Sequence, residues 1–182
     1  AGIYRRGTDM IDWVMYSADD IYHSAAFKLS NYQFTAQAKA NIQRMMPRQQ
    51  LLRAVGVSYY YNNQHRHDNT EIYQSNYALD YLRHKVLASL EHGIFSSLSA
   101  TWYLRWQERE GTHLEYEGAD AVQRANRPYC QLDLKLRWTK PTYAVYASLE
   151  NLTSHRHYDI GTVPQPRFTF LVGANCNFSL RR

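Results

Sequence analysis

The sequence predicts an all-β fold, an antiparallel transmembrane β-barrel of about eight strands. Three observations carry that expectation: strict apolar–polar alternation, unusually long strands, and links that alternate between short and long. The alternation is clearest in Cys130-Gln-Leu-Asp-Leu-Lys-Leu-Arg-Trp138. There Leu132, Leu134, Leu136 and Trp138 share one parity, and Gln131, Asp133, Lys135 and Arg137 the other. Successive strand side chains point to opposite faces, so one face is wholly apolar and the other strongly polar.

The elements follow in order. Ile3 to Tyr16 reads as one long strand with a bulge near Gly7. Next, Tyr32, Phe34, Ala36, Ala38 and Ala40 oppose Asn31, Gln33, Thr35, Gln37 and Lys39. Val55, Val57, Tyr59 and Tyr61 oppose Ala54, Gly56, Ser58 and Tyr60. In Leu82–Glu91, Leu82, Val86, Ala88 and Leu90 oppose Arg83, Lys85, Ser89 and Glu91, with His84 and Leu87 on the wrong sides. In Ser97–Gln107, Leu98, Ala100, Trp102, Leu104 and Trp106 oppose a polar set that includes Arg105. The Cys130–Trp138 strand comes sixth, and Tyr143–Glu150 seventh. Arg167–Leu180 closes the series, with Phe168, Phe170, Val172 and Phe178 on its apolar parity.

Most of these runs span roughly 9–14 residues, whereas soluble strands average about 5–6 and tilted transmembrane strands need about 9–11. Gln43–Gln50, Glu91–Phe95 and Thr139–Thr142 read as short links; Ser17–Ser24, Gln64–Asn76, Arg109–Arg127 and Thr153–Pro166 read as long ones. Short periplasmic turns and long external loops alternate in this way in outer-membrane barrels. Trp102, Trp106, Tyr59, Tyr61, Trp138, Phe168 and Phe178 lie near strand ends on the apolar parity, as two aromatic girdles would.

Composition agrees. With 182 residues the chain suits a single domain, and no stretch of 18 or more apolar residues predicts a transmembrane helix. The mean hydropathy of −0.60 is polar, but a barrel averages lipid-facing and lumen-facing residues. Sixteen Tyr and four Trp against six Phe favour rings suited to an apolar–wet boundary. The net charge of +5 is scattered, without the basic block that nucleic acid would require. Cys130 and Cys176 form no metal motif. The chain opens directly in strand-like Ile3-Tyr4-Arg5-Arg6, so either a leader has been removed or the sequence is the C-terminal part of a longer polypeptide.

Several phrases resemble one family. Arg5-Arg-Gly-Thr-Asp-Met-Ile-Asp-Trp-Val14, Asn31-Tyr-Gln-Phe-Thr-Ala-Gln-Ala38, Ser148-Leu-Glu-Asn-Leu-Thr153 with Tyr158-Asp159, and Pro164-Gln-Pro-Arg-Phe168 resemble successive strands of TonB-dependent outer-membrane receptors. The flavour is nearest to cobalamin-type receptors of the Bacteroides type. Gln33 and Thr35 depart from the family's glycine and glutamate, Pro166-Arg167 lacks its glycine, and Phe178 is followed by Ser179-Leu-Arg-Arg182 rather than ending the chain. The resemblance implies the C-terminal portion of a 22-stranded barrel, residues 1–182 forming one barrel domain or fragment without a plug. It further implies uptake of a scarce nutrient such as a cobalamin or an iron chelate, and no enzyme activity. The implied partners are outer-membrane lipid, the plug domain and remaining strands of the parent receptor, and the TonB complex acting through that plug. Two alternatives stay open: a self-contained eight-stranded outer-membrane barrel with a structural or binding role, and a soluble β-sandwich binding module.

No catalytic constellation, phosphate loop or serine elbow emerges, and no cofactor or metal is expected. Leu98, Trp102, Trp106, Leu132, Leu134, Leu136, Trp138, Phe168, Phe170 and Phe178 are expected to face lipid. Arg83, Lys85, Glu91, Arg105, Asp133, Lys135, Arg137 and Glu150 are expected to face the lumen, either lining a passage or simply wet. Tyr73, Tyr77, Tyr116 and Tyr158 in the external links are either ligand contacts or part of the upper girdle. His65, His67, His155 and His157 form two loop pairs, which read as polar surface rather than as metal ligands. Asn151-Leu-Thr153 matches a glycosylation acceptor without consequence in a bacterial strand.

Overall fold

In the computed structural model, which describes residues 1–17, 19–48, 51–67, 70–75, 81–118, 120–158 and 163–177, the protein is all-β and antiparallel. The strands are β1 (Gly2–Met15), β2 (His23–Asn41), β3 (Leu52–Arg66), β4 (Gln74–Ser75), β5 (Leu82–Phe95), β6 (Leu98–Arg109), β7 (Thr112–Glu117), β8 (Asp120–Ala125), β9 (Tyr129–Thr139), β10 (Tyr143–Glu150) and β11 (Thr169–Cys176); one helical turn, α1, spans Ile42–Met45. The large sheet runs β11-β10-β9-β6-β5-β3-β2-β1-β4. Eight of its strands form a simple meander, each paired with the next long strand in sequence. β7 and β8 form a separate hairpin.

The register is staggered in one direction. Gly2 at the foot of β1 stands opposite Ala36, Ala36 opposite Tyr59, Tyr59 opposite Val86, Val86 opposite Trp106, and Trp106 opposite Cys130 at the head of β9. A row that leaves the foot of β1 therefore exits at the head of β9. Such a drift is the shear that tilted strands of a barrel wall require. Closure does not follow: among the described residues nothing pairs β11 with β1, so the sheet has two edges. A closed eight-stranded barrel is thus not what these residues form. Nor is a sandwich, since the only other sheet among them is the small β7–β8 hairpin.

The link pattern needs correction. The 42–51 connection, expected to be short, contains α1 and is longer than the 16–22 connection, expected to be long. Asn41 caps α1 by accepting the Arg44 N–H at 2.9 Å. The 110–128 connection is no simple loop, because it folds back on itself as β7–β8, with Gly118 at φ +73° letting the turn close.

The β1 bulge expected near Gly7 lies at Asp9 (φ 59°), with the register shifting between Thr8 and Met10. One extra residue flips every side chain beyond it. Tyr4 and Phe34 share the apolar face of the sheet, whereas past the bulge Met10 stands opposite Phe27, two residues from Leu29, on the polar face. There Val14, Phe27 and Leu29 are buried, with Met10, Ala25 and Ile72 packed against them. Residues 70–75 make this cluster possible: β4 lies against the outer edge of β1, with Val14 opposite Ser75 and Met15 opposite Gln74. The Tyr73 N–H donates to the Met15 carbonyl at 2.9 Å.

Elsewhere no described segment covers the apolar face; Trp106, Leu132 and Leu134 in its middle are half-buried by their neighbours, and many of its other side chains are exposed. Ile11 is 74% exposed, Trp13 52%, Val57 47%, Trp138 50% and Phe170 67%. The accessible surface is 12851 Å². A compact soluble chain of this mass would show about 9,100 Å².

Candidate ligand site at the loop end

The two faces are fixed by register. Leu98, Trp102, Trp106, Leu132, Leu134, Leu136 and Trp138 stand in mutually paired positions on the apolar face, and Phe170 joins them through Leu149. Phe168 precedes β11 and lies in a bend, outside the ladder. Phe178 lies outside the described residues. His84, on the apolar side, is no stray polar group. Its Nδ1 is 2.8 Å from Tyr59 Oη, and its ring contacts Tyr59, Tyr61 and Trp106. Trp102 likewise donates its Nε1–H to His92 Nε2 at 3.2 Å.

The opposite face carries Lys85, Glu91, Arg105, Asp133, Lys135, Arg137 and Glu150 in register. The sheet curls toward that side, since Lys39 of β2, Ser58 of β3, Leu87 of β5, Arg105 of β6 and Asp133 of β9 line one hollow of about 560 Å³. Leu87 is thus an apolar patch beside the polar side chains of that hollow. Glu91 faces Arg53 at 3.8 Å. Lys135 Nζ sits 5.2 Å from the centre of the Tyr146 ring. Arg83 adjoins a register shift, and its guanidinium reaches up to bind Glu110 at the loop end.

Asp133 is structural in its contacts. Its Oδ1 accepts from Gln131 Nε2 at 2.8 Å and from the Asn151 N–H at 2.7 Å. Asn151, 2% exposed and at φ 54°, organises the 151–168 connection. Its Nδ2 donates to the His155 carbonyl (2.9 Å) and to the Pro166 carbonyl (3.1 Å). Its Oδ1 accepts from Thr153 Oγ1 (2.9 Å) and the His155 N–H (3.2 Å). Asparagine suits this place because a short amide tolerates the left-handed region while bonding nearby backbone.

That loop and the β7–β8 hairpin enclose a second hollow of about 630 Å³. Its rings are ordered. His113 stacks on Tyr158 at 4.0 Å and 20°. Tyr129 lies between His155 (5.6 Å, 18°) and His157 (4.3 Å, 30°). Tyr129 and His157 are both buried. His113 Nδ1 is 3.0 Å from Asn126 Oδ1, which ties the ring to the base of the hairpin. Among the described residues, four arginines line the hollow (Arg109, Arg124, Arg127 and Arg156) beside the carboxylate of Glu115. Glu115 is held by Arg124 at 2.9 Å and Arg156 at 3.5 Å. Arg156 also lies over Tyr158, 5.5 Å from its centroid. A hydrogen bond to Glu117, and then that carboxylate's charge, hold the Arg124 guanidinium above its ordinary range. The arrangement offers guanidinium forks beside fixed ring faces.

Of the described tyrosines expected at a ligand, Tyr158 lines this hollow and Tyr73 and Tyr116 do not. Tyr116 is exposed on the hairpin, Tyr73 contributes its carbonyl to Gln123 Nε2 at 3.2 Å, and Tyr77 lies outside the described residues. His155 and His157 are ring partners of Tyr129, while His65 and His67 meet edge to face at 5.1 Å with His67 Nε2 bonded to Ser30 Oγ at 2.8 Å. Among the described residues no three metal-ligating side chains converge. Sequence reading missed His113, Tyr129 and Arg156, which lie far apart in sequence. The available signal was the His155-Arg156-His157 run, which places an arginine between two of the ring residues. Compared with protein-family models, curated proteins and solved structures, the chain matches none.

Proposed function

We propose that this sheet is part of the wall of an outer-membrane β-barrel, and that the barrel is a receptor for TonB-dependent uptake of a scarce nutrient. The observation that carries the reading is the uncovered apolar face. Many of its large side chains stand exposed on long, staggered strands, and the chain shows roughly 3,700 Å² more surface than a compact soluble fold would. Lipid would cover such a face. Aromatic side chains lie toward both ends of it, with Trp13, Tyr61 and Trp106 toward the loop end and Phe95, Trp138 and Tyr143 toward the turn end. This is where belts at the two interfaces belong. Among the described residues the outer edges of β11 and of most of β1 have no partner strand, which supports continuation into further strands, because bare backbone donors and acceptors are not tolerated in hydrocarbon. The polar hollow then faces a lumen shared with those strands. The resemblance to TonB-dependent receptors supports the transport role, with the plug and the energy-coupling complex supplied by other parts of the system.

The lipid assignment is tested by spin labels on Leu134→Cys and Lys135→Cys, with Cys130 and Cys176 replaced by alanine, in chain reconstituted into bilayers. Position 134 should collide mainly with oxygen and position 135 with an aqueous nickel chelate. Equal aqueous access at both, or a chain that folds and stays monodisperse without detergent or lipid, would overturn it.

A further inference from the structure

We infer that the loop-end hollow binds a small anion that carries carboxylates on a flat conjugated ring. This deepens the receptor reading and rests on it only for the side of the membrane the hollow faces; the chemistry follows from the residues. Two requirements are written into the walls. The first is negative charge. Glu115 is already shared between Arg124 and Arg156, and Arg124 also holds Glu117, so the guanidinium left for an anion is that of Arg127, which has no ion pair among the described residues. Arginine forks match the two oxygens of a carboxylate. The second is a flat ring. The stacked His113 and Tyr158 rings line the hollow, and their contacts with each other and with Arg156 set their orientation before any ligand arrives. Burial of His157, and the Asn151 amide beneath the loop, hold the segment that carries Tyr158. Pre-set rings lose little freedom on binding, which is where affinity is usually lost. The volume of about 630 Å³ lies within the range of small-molecule sites.

The test uses the full 182-residue chain in micelles and three probes: benzene-1,3,5-tricarboxylate, cyclohexane-1,3,5-tricarboxylate and inorganic phosphate. The first two carry the same charge and differ in flatness. The aromatic probe should bind about fivefold more tightly than its saturated counterpart. Phosphate should bind more weakly still. Arg127→Ala, at an exposed position, should weaken both tricarboxylates about tenfold. Tyr158→Leu should abolish the preference for the flat ring while leaving the saturated probe unchanged. No binding of the aromatic probe at millimolar concentration, equal affinity of the two tricarboxylates or of phosphate, or indifference to both substitutions would overturn the inference. The same titration in detergent-free buffer separates it from the membrane reading. Binding by a chain folded without detergent supports the ligand class and sinks the membrane wall. Lipid-facing labels with no binding do the reverse.

Discussion

Replacing Asn151 tests how far one buried amide governs the loop end. Asn151→Ala removes four side-chain hydrogen bonds, to the His155 and Pro166 carbonyls, the His155 N–H and Thr153 Oγ1. His155, Thr153 and Pro166 are exposed, so water replaces much of what is lost. At the lower end of the net worth of a hydrogen bond, about 0.5–1 kcal/mol each, the four sum to about 2–4 kcal/mol. Alanine at φ 54° adds about 1 kcal/mol of left-handed strain. The expected loss is therefore about 3–5 kcal/mol. Asn151→Gly loses the same bonds without the strain and should recover about 1 kcal/mol of it. Urea unfolding of the chain in micelles gives the global value. Hydrogen exchange at the Leu152 and His155 amides reports the loop itself, since the Leu152 N–H is bonded to the Leu132 carbonyl at 2.8 Å. A loss below about 1 kcal/mol with unchanged amide protection, or glycine costing more than alanine, would refute the reasoning.

Gly173 stands opposite Tyr146 on the polar face, and a Cβ there would meet the ring's Cζ and Oη at 2.4 Å. Gly173→Ala should cost about 1–3 kcal/mol in urea titration, and nearly nothing in a Tyr146→Leu background, so an additive double-mutant cycle would contradict the close approach. Near the start of the chain, Asp20 accepts the Tyr16 N–H at 3.0 Å and the Ile21 N–H at 2.8 Å and lies 2.9 Å from His23 Nε2. The Tyr16 hydrogen bond, then the one with His23, hold its carboxyl below the ordinary range. A lowered pKa means that the stabilisation is present at neutral pH and fades as acid protonates the folded carboxylate. Protection of the Tyr16 amide against exchange should fall at acid pH in the parent chain, and Asp20→Asn should remove that dependence; a pH-independent parent would count against it.

The sequence by itself determined the sheet and its two faces. Alternation with period two admits one geometry, and a strand cannot turn Leu132, Leu134, Leu136 and Trp138 to one side without turning Asp133, Lys135 and Arg137 to the other. The head of β2 was illegible because Phe27 and Leu29 lie on the opposite parity from Tyr32 and Phe34, and alternation alone reads that change as a break. Only the tertiary structure supplies its reason: the bulge at Asp9 and residues 70–75 create a covered apolar cluster on an otherwise polar face. The β7–β8 hairpin was hidden for a related reason. Its strands are short and charged, and its Glu115 and Glu117 are balanced by Arg124 across the turn rather than by an apolar core. The loop-end hollow depended most on folding. His113, Tyr129 and Tyr158 come from three separate segments, and periodicity says nothing about which rings will stack once the hairpin and the Asn151 loop lean together.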